Sequence, residues 1–241
     1  MSDRRNRLAL LGTGRMGRLV EQLAPEHGFE IALRLDGSSN AGGSGITAEA
    51  FRSIDVAVDF SVAGAVLANA ERLAPLGVPV VVGTTGWQED LPRVRALVES
   101  QAAHGAGLLY GANFSIGVQV FYRLAAAASH LLAHEASYEA WLWEIHHSKK
   151  KDAPSGTLHE IRRTMEAAGW ARRLDVASNR AGAIPGTHQI GFDSEADTIV
   201  LEHRARDRSG FARGALRAAR WMIGRRGVHA FSDVWEEIVR S

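Results

Sequence analysis

The stretch Leu8–Val20, LALLGTGRMGRLV, sets a short apolar run, a glycine loop and an amphipathic run in sequence. Leu8–Leu11 is wholly apolar and stopped by Gly12, the pattern of a strand buried on both faces. Met16–Leu23 follows with helical spacing. Between them Gly12, Gly14 and Gly17 form G-x-G-x-x-G. The first glycine permits a tight turn, the second lets a pyrophosphate approach the backbone, and the third lets helix and strand pack closely. Amides at the helix N-terminus then hold phosphate. Gly12, Thr13, Gly14, Arg15, Met16 and Gly17 are therefore the candidate cofactor loop. Asp36 closes the next apolar run, Phe29–Leu35, roughly 20 residues further on, where an acid would hydrogen-bond an adenosine ribose. The other reading of Asp36 is a turn residue before Gly37. Arg34 stands near enough to partner a 2′-phosphate, so both NADH and NADPH stay open.

Outward from this stretch the alternation continues. Val56–Phe60, Val78–Val82 and Leu108–Tyr110 read as strands, and Ala63–Leu73 and Leu91–Ala103 as helices. Repeated strand–helix alternation predicts an α/β fold, a Rossmann-like parallel sheet with helices on its faces. Ligands bind at the carboxyl ends of such strands. That makes Gly83, Thr84 and Thr85 in VVVGTTGW, and Gly111, Ala112, Asn113 and Phe114 in LLYGANFSIG, further cofactor candidates. The plainer reading is two tight turns with good capping residues.

After Ser115 the texture changes. Ile116 to about Ala133 reads as a long apolar helix, and SYEAWLWEIHH as a strand with Trp141, Trp143 and Ile145 on one face and Leu142, Glu144 and His146 on the other. A helix from about Thr157 and a strand pair, THQIGFD with DTIVLEHRA, complete a second, α+β domain with a mixed sheet. Ala212–Ile223 and Ser232–Val239 are helical and return to the first domain.

With 46% hydrophobic and 23% charged residues and a formal net charge of +1, the 241-residue chain gives no electrostatic case for nucleic acid or an anionic membrane. It has no cysteine, which excludes disulfides and thiolate chemistry. The start, MSDRRNRLALLG, carries too short an apolar run for a signal peptide, and no stretch approaches the roughly 18 apolar residues of a membrane span. A cytoplasmic protein is expected.

One further stretch stands out: EIHHSKKKDAPSGT, Glu144–Thr157. The chain has 28 Lys plus Arg, and its only lysines are Lys149, Lys150 and Lys151. Arginine stays charged at every relevant pH, whereas lysine offers a compact ammonium that can give up a proton. A surface charge run is the alternative. Thr157 with Glu160 matches a capping box, which would leave the amides near Ser155–Thr157 at a positive helix end. Two imidazoles, an ammonium and a helix N-terminus would then converge on an anion that needs protons moved. No metal is expected, because His146 and His147 are neighbours and no ligand pattern completes a set.

Taken together these residues resemble the dihydrodipicolinate reductase family, also called 4-hydroxy-tetrahydrodipicolinate reductase, of bacterial lysine and diaminopimelate biosynthesis. The element E-x-H-H-x-x-K-x-D-A-P-S-G-T is the most specific match. GRMG at Gly14–Gly17, DFS at Asp59–Ser61, GTTG at Gly83–Gly86, ANFS at Ala112–Ser115, FARGALRAARWM at Phe211–Met222 and the late GVHAFSDV extend the likeness over nearly the whole chain. Three departures are a glycine loop one residue shorter than the common form, Leu158 after PSGT where alanine is usual, and GTH at Gly186–His188 where GEH is common.

The resemblance implies a nucleotide domain of about residues 1–112 and 213–241, and a substrate-binding and oligomerisation domain of about 113–212, in a homotetramer. It implies NADH or NADPH as cofactor and a small dicarboxylate as substrate, met by hinged domain closure. By the motif, His146 would donate and accept protons and Lys150 would be a proton donor. His147, Gly156 and Thr157 would bind the dicarboxylate, with Ser155 assisting. The alternatives are another Rossmann oxidoreductase of a small amino or keto acid, and a nucleotide-binding sensor without catalysis.

Overall fold

The computed structural model describes residues 5–241; the basic start of the chain, residues 1–4, lies outside the described residues. In chain order the first elements are β1 (Asn6–Leu11), α1 (Arg15–Leu23), β2 (Phe29–Leu35), the single turn α2 (Ala48–Phe51), β3 (Val56–Asp59) and α3 (Ala63–Leu73). Then come β4 (Val80–Val82), α4 (Leu91–Ser100), β5 (Gly107–Tyr110), α5 (Ile116–Leu132), β6 (Glu139–His146) and α6 (Gly156–Ala167). The last are β7 (Leu174–Arg180), β8 (Thr187–Asp193), β9 (Thr198–Arg204), α7 (Ser209–Met222), β10 (Gly227–Ala230) and α8 (Phe231–Arg240). None of the helices among the described residues is long and apolar enough to cross a membrane. The chain divides into two compact units, one running through Ser115 and resuming from Phe211 to Ser241, the other Ile116–Gly210.

The first unit holds a six-stranded sheet, order β2-β1-β3-β4-β5-β10, with every pairing parallel. Parallel strands covered on both faces must be apolar throughout, and Leu8–Leu11, Val56–Val58 and Val80–Val82 are all buried. Each leucine and valine there contributes roughly 1.5–3 kcal/mol of apolar transfer, which fixes the sheet's centre. β4 is shorter than the apolar run Val78–Val82 because Pro79 has no amide to give the ladder; it only accepts, from Ala57. β10, only four residues long and carrying a single β-branched residue, escaped the sequence pattern. It becomes a strand by pairing with β5, more than a hundred residues upstream.

The returning tail is locked to the first unit by close packing. Phe231 lies against Phe114, ring centroids 4.7 Å apart, and a Cβ on Gly111 would come within 2.9 Å of the Cβ of Phe231. In α7, a Cβ at Gly214 would stand 1.7 Å from the carbonyl oxygen of Phe114.

The second unit is a mixed sheet, order β7-β6-β8-β9, with β6·β7 parallel and the other pairs antiparallel. One face packs on α5 and α6 around Phe121, Leu142, Leu158, Ile161, Trp170 and Phe192. The strand alternation puts Leu142, Glu144 and His146 on this covered face and Trp141, Trp143 and Ile145 on the other. β7 was invisible to the apolar pattern: LDVASNR is a mostly exposed edge strand.

Two glycines separate fold from ligand space. Gly214→Ala should lower the unfolding free energy measured in urea by about 1–3 kcal/mol or more, since backbone meets the new Cβ. Gly14→Ala, whose Cβ would meet nothing within 4 Å, should leave the unfolding free energy within about 0.5 kcal/mol of the parent.

Candidate active site

In the first unit, the glycine loop divides its labour. Gly12 is left-handed at φ +95°, with a Cβ position only 2.4 Å from the Phe60 carbonyl oxygen, and a Cβ at Gly17 would lie 1.9 Å from the Gly12 oxygen. Both are demanded by packing, whereas Gly14 faces open space. Gly14 is the N-cap of α1, with no side-chain cap and no acid in the first turn. The helix end is thus left bare for a phosphate, which fits a dinucleotide. Thr13 and Met16 are half-buried and Arg15 is exposed at this end.

The other cofactor candidates take more varied positions. Asp59 ends β3 fully buried, accepting from Ser61 N and Oγ, Asn69 Nδ2 and Thr84 Oγ1. The Thr84 hydroxyl therefore holds the loop in place rather than facing a ligand, Gly83 packs on the Phe60 ring, and Thr85 is the exposed member. The Phe114 side chain is buried against Phe231, so only its backbone is left to serve a ligand, while Gly111 is needed for that packing. Ala112 and Asn113 complete this loop, with Asn113 Oδ1 accepting from Ser115 N. Asp36 holds a turn: Ser38 N, Ser38 Oγ, Ser39 N and Ser39 Oγ all donate to its Oδ1. Those bonds hold its carboxyl well below the usual range while leaving it exposed. Arg34 is committed to Glu21 at 2.7 Å.

Every proton-handling candidate lies in the second unit. Glu144, in the middle of β6, is 0% exposed. Its Oε1 accepts from Ser155 N at 2.9 Å, Arg180 Nη2 at 2.9 Å and Ser178 Oγ at 3.0 Å. Its Oε2 accepts from Ser155 Oγ and faces His188 Nε2 at 3.4 Å and His146 Nδ1 at 3.5 Å. The register explains this convergence, because Glu144 pairs with Ser178 on β7 and His188 on β8. Despite a burial cost that works the other way, these donors hold Glu144 far below the usual carboxylate range.

His146 is buried, its ring 5.1 Å from that of His188. Desolvation, set against the raising effect of Glu144, brings it down to about 4, with His188, Lys150 and Arg180 adding to the fall. Gly186 lies against its Nε2, where a Cβ would come within 2.8 Å. His147 is half-buried just beyond the strand. Lys150 is partly covered, its Nζ 2.9 Å from Asp152 Oδ1, whereas Lys149 and Lys151 are exposed.

α6 begins two residues earlier than the capping box predicts. Ser155, not Thr157, is the N-cap: its φ/ψ is extended and its Oγ accepts from Leu158 N at 3.2 Å. Thr157 instead hydrogen-bonds Tyr122. Gly156 is exposed, with open space at its Cβ position, and its amide also donates to the Asp152 carboxylate. The corner between Lys150 and the α6 N-terminus therefore already holds a carboxylate. Lys150, His146, Ser155, Gly156 and Thr157 are brought around one strand end and one helix start.

Glu144, Arg180, His188 and Asp152 went unassigned from sequence. The signal for Glu144 was present: an acid in register with Leu142 on the covered face of a strand. Glu144, His146 and His188 place donor atoms within 4.8 Å of one another, spacing that a metal could use. However, both Glu144 oxygens already carry hydrogen bonds and Arg180 adds a fixed positive charge, so the cluster is built as a hydrogen-bond network.

A pH test follows from these shifts. An unfolded histidine takes its proton near 6.5, but folded His146 resists until about 4, so stability present above 6.5 falls as pH drops through that window. His27 and His203 are lowered too and act in the same direction. His146→Gln should flatten part of the fall in urea midpoint between pH 7 and 4.5; an unchanged slope would contradict the assignment.

The chain matches the family model described as dihydrodipicolinate reductase, N-terminus, over residues 6–114, and that described as dihydrodipicolinate reductase, C-terminus, over residues 117–235. It is 31% identical over 245 residues to a 4-hydroxy-tetrahydrodipicolinate reductase from Christiangramia forsetii, covering 97% of this chain and 99% of the relative. A relative of the same description from Methanoregula boonei is 35% identical over 246 residues, covering 92% and 94%. Among solved structures, a dipicolinate-bound dihydrodipicolinate reductase from Paenisporosarcina sp. TG-14 superposes with a TM-score of 0.78 at 20% identity, over 95% of this chain and 99% of that one, which shows a shared fold. With both halves matched and full-length relatives above 30% identity, the chain belongs to the dihydrodipicolinate reductase family.

Proposed function

We propose that this protein is a 4-hydroxy-tetrahydrodipicolinate reductase of lysine and diaminopimelate biosynthesis. The observation that carries this is the corner where Lys150 Nζ and the Gly156 amide both hold a carboxylate, beside the buried His146. A substrate carboxylate has the same needs as that of Asp152 and takes its place or joins it, with His147 and Thr157 at the rim. Bound nicotinamide would supply a hydride to C4 of the cyclic, unsaturated dicarboxylate that remains once the 4-hydroxy substrate has lost its hydroxyl as water. Because a hydride adds an electron pair to a conjugated C=N system, a proton must reach the system's far end. Lys150 is placed to give that proton, which arginine would not release. His146, neutral near pH 7, is placed to accept and return one. Gly12–Gly17, Asp36, Gly83–Thr85 and Gly111–Phe114 hold the dinucleotide, in part through backbone.

NADH is the preferred cofactor in this proposal. The exposed carboxylate of Asp36 suits ribose hydroxyls and repels a 2′-phosphate, and Arg34 is tied to Glu21. Arg15 remains exposed in the loop, so NADPH use is reduced rather than abolished. A cytoplasmic homotetramer completes the proposal. Its support is the sheet face carrying Trp141, Trp143 and the half-exposed Val200, which α5 and α6 leave uncovered.

Purified protein should oxidise NADH when given the product of dihydrodipicolinate synthase; absence of turnover with either nucleotide would end the proposal. Lys150→Arg should lose about 10²-fold or more in kcat while binding NADH normally. Wild-type kcat/KM should favour NADH by about tenfold, equivalent to about 1.4 kcal/mol, and Asp36→Ala should erase that preference.

A further inference from the structure

The two oxygens of Glu144 have different surroundings. Oε1 is saturated by three donors from two elements: the Ser155 amide at the α6 cap, and Arg180 and Ser178 on β7. Oε2 takes only the Ser155 hydroxyl as a close donor and otherwise faces the two imidazoles, His146 Nδ1 at 3.5 Å and His188 Nε2 at 3.4 Å. His146 Nδ1 is buried without a hydrogen-bond partner, and the Glu144 carboxylate stands 3.5 Å from it, an ion-pair distance that a small movement of the ring would close into a hydrogen bond. On the other side of the ring, Nε2 meets the bare backbone of Gly186. One carboxylate thus joins the start of the anion-holding helix to the back of the catalytic imidazole.

We propose that Glu144 is a positioning residue that fixes His146 as the Nδ1–H tautomer, leaving Nε2 as the nitrogen that exchanges protons with substrate, and that His188 competes for the same carboxylate oxygen. This deepens the proposed function and rests on the proton-handling role given there to His146. The anchored Oε1 makes the orientation one-way. Three donors on Oε1 forbid the carboxylate from turning without stranding a guanidinium, an amide and a hydroxyl. Oε2 is therefore held as an acceptor, and Nδ1 must answer as the donor.

Replacing Glu144 by Gln inverts that relation. The three donors require the amide oxygen of the glutamine at the Oε1 position, so its NH2 occupies the Oε2 position and points donors at Nδ1. His146 then accepts at Nδ1 and carries its proton on Nε2, the wrong nitrogen for taking one from substrate. The charged and titratable groups facing His146 are Glu144 on its own strand, Arg180 on β7, His188 on β8 and Lys150 in the following loop. Glu144 favours the imidazolium, while His188, Lys150 and Arg180 oppose it. The two partners should thus move His146 in opposite directions.

The experiment reads the imidazole itself, by nitrogen-15 NMR titration of the full-length protein with no substrate present. In the wild type His146 should be Nδ1–H. In Glu144→Gln it should become Nε2–H and titrate at lower pH, and in His188→Gln it should keep Nδ1–H and titrate at higher pH. With NADH and the pathway substrate, Glu144→Gln should lose about 10²-fold in kcat with NADH binding unchanged, whereas His188→Gln should lose about tenfold or less. If Glu144→Gln does not fold, Glu144→Asp retains charge but withdraws from Nδ1, and should weaken the Nδ1–H preference without reversing it. An unchanged tautomer and titration midpoint in Glu144→Gln, or in Glu144→Asp should that be the only folded variant, overturns the proposal. Loss of all reductase activity in the wild type would instead strike the function, leaving the tautomer result to stand or fall alone.

Discussion

A fully buried carboxylate is costly unless it is surrounded by donors, and Glu144 is the point in the second unit where that cost is met. Its partners come from β6, β7, β8 and the cap of α6, so satisfying one side chain aligns three strands and a helix start. The same contacts set the chemistry. Ser155 caps α6 and bonds Glu144, which places the open Gly156 corner; Arg180 keeps Glu144 anionic and also donates to the Asp152 carbonyl oxygen, tying down the loop that carries Lys150. Local fold and the proposed proton handling share one network.

Asp59 plays a comparable part in the first unit, with no ion pair to it among the described residues. Four hydrogen bonds from Ser61, Asn69 and Thr84 satisfy it, and Asn69 in turn accepts from Asn40 in the glycine-rich segment after β2. The loops at the carboxyl ends of β2, β3 and β4 are therefore connected through buried amides and hydroxyls. Such a crevice is shaped by hydrogen bonds before any nucleotide arrives, which suits backbone recognition of a pyrophosphate.

The parallel sheet was legible because burial on both faces leaves uninterrupted apolar runs, as in Leu8–Leu11 and Val80–Val82. β7 and β10 were not, because their strand state comes from distant partners: Leu174 opposite Ala140, and Gly227 opposite Gly107. His146 and Lys150 were candidates from chemistry and the motif, and among the three lysines the structure draws only Lys150 in from solvent. Arg180 and His188 were out of reach, since nothing in a linear reading sets them across from Glu144 until strand register is known. The cap moved from Thr157 to Ser155 for a related reason: the Glu144 carboxylate, eleven residues earlier, holds Ser155 in an extended conformation that local spacing does not encode.

The proposed division of roles between a bare glycine loop and a Glu144-anchored proton site makes one chemical commitment, transfer of hydride from nicotinamide to ring carbon. Reduced cofactor deuterated at nicotinamide C4 on the transferred face, incubated with enzyme and the product of dihydrodipicolinate synthase, follows that atom. The account predicts one deuterium at C4 of the tetrahydrodipicolinate formed. Product carrying no deuterium, or deuterium elsewhere in the ring, would contradict it.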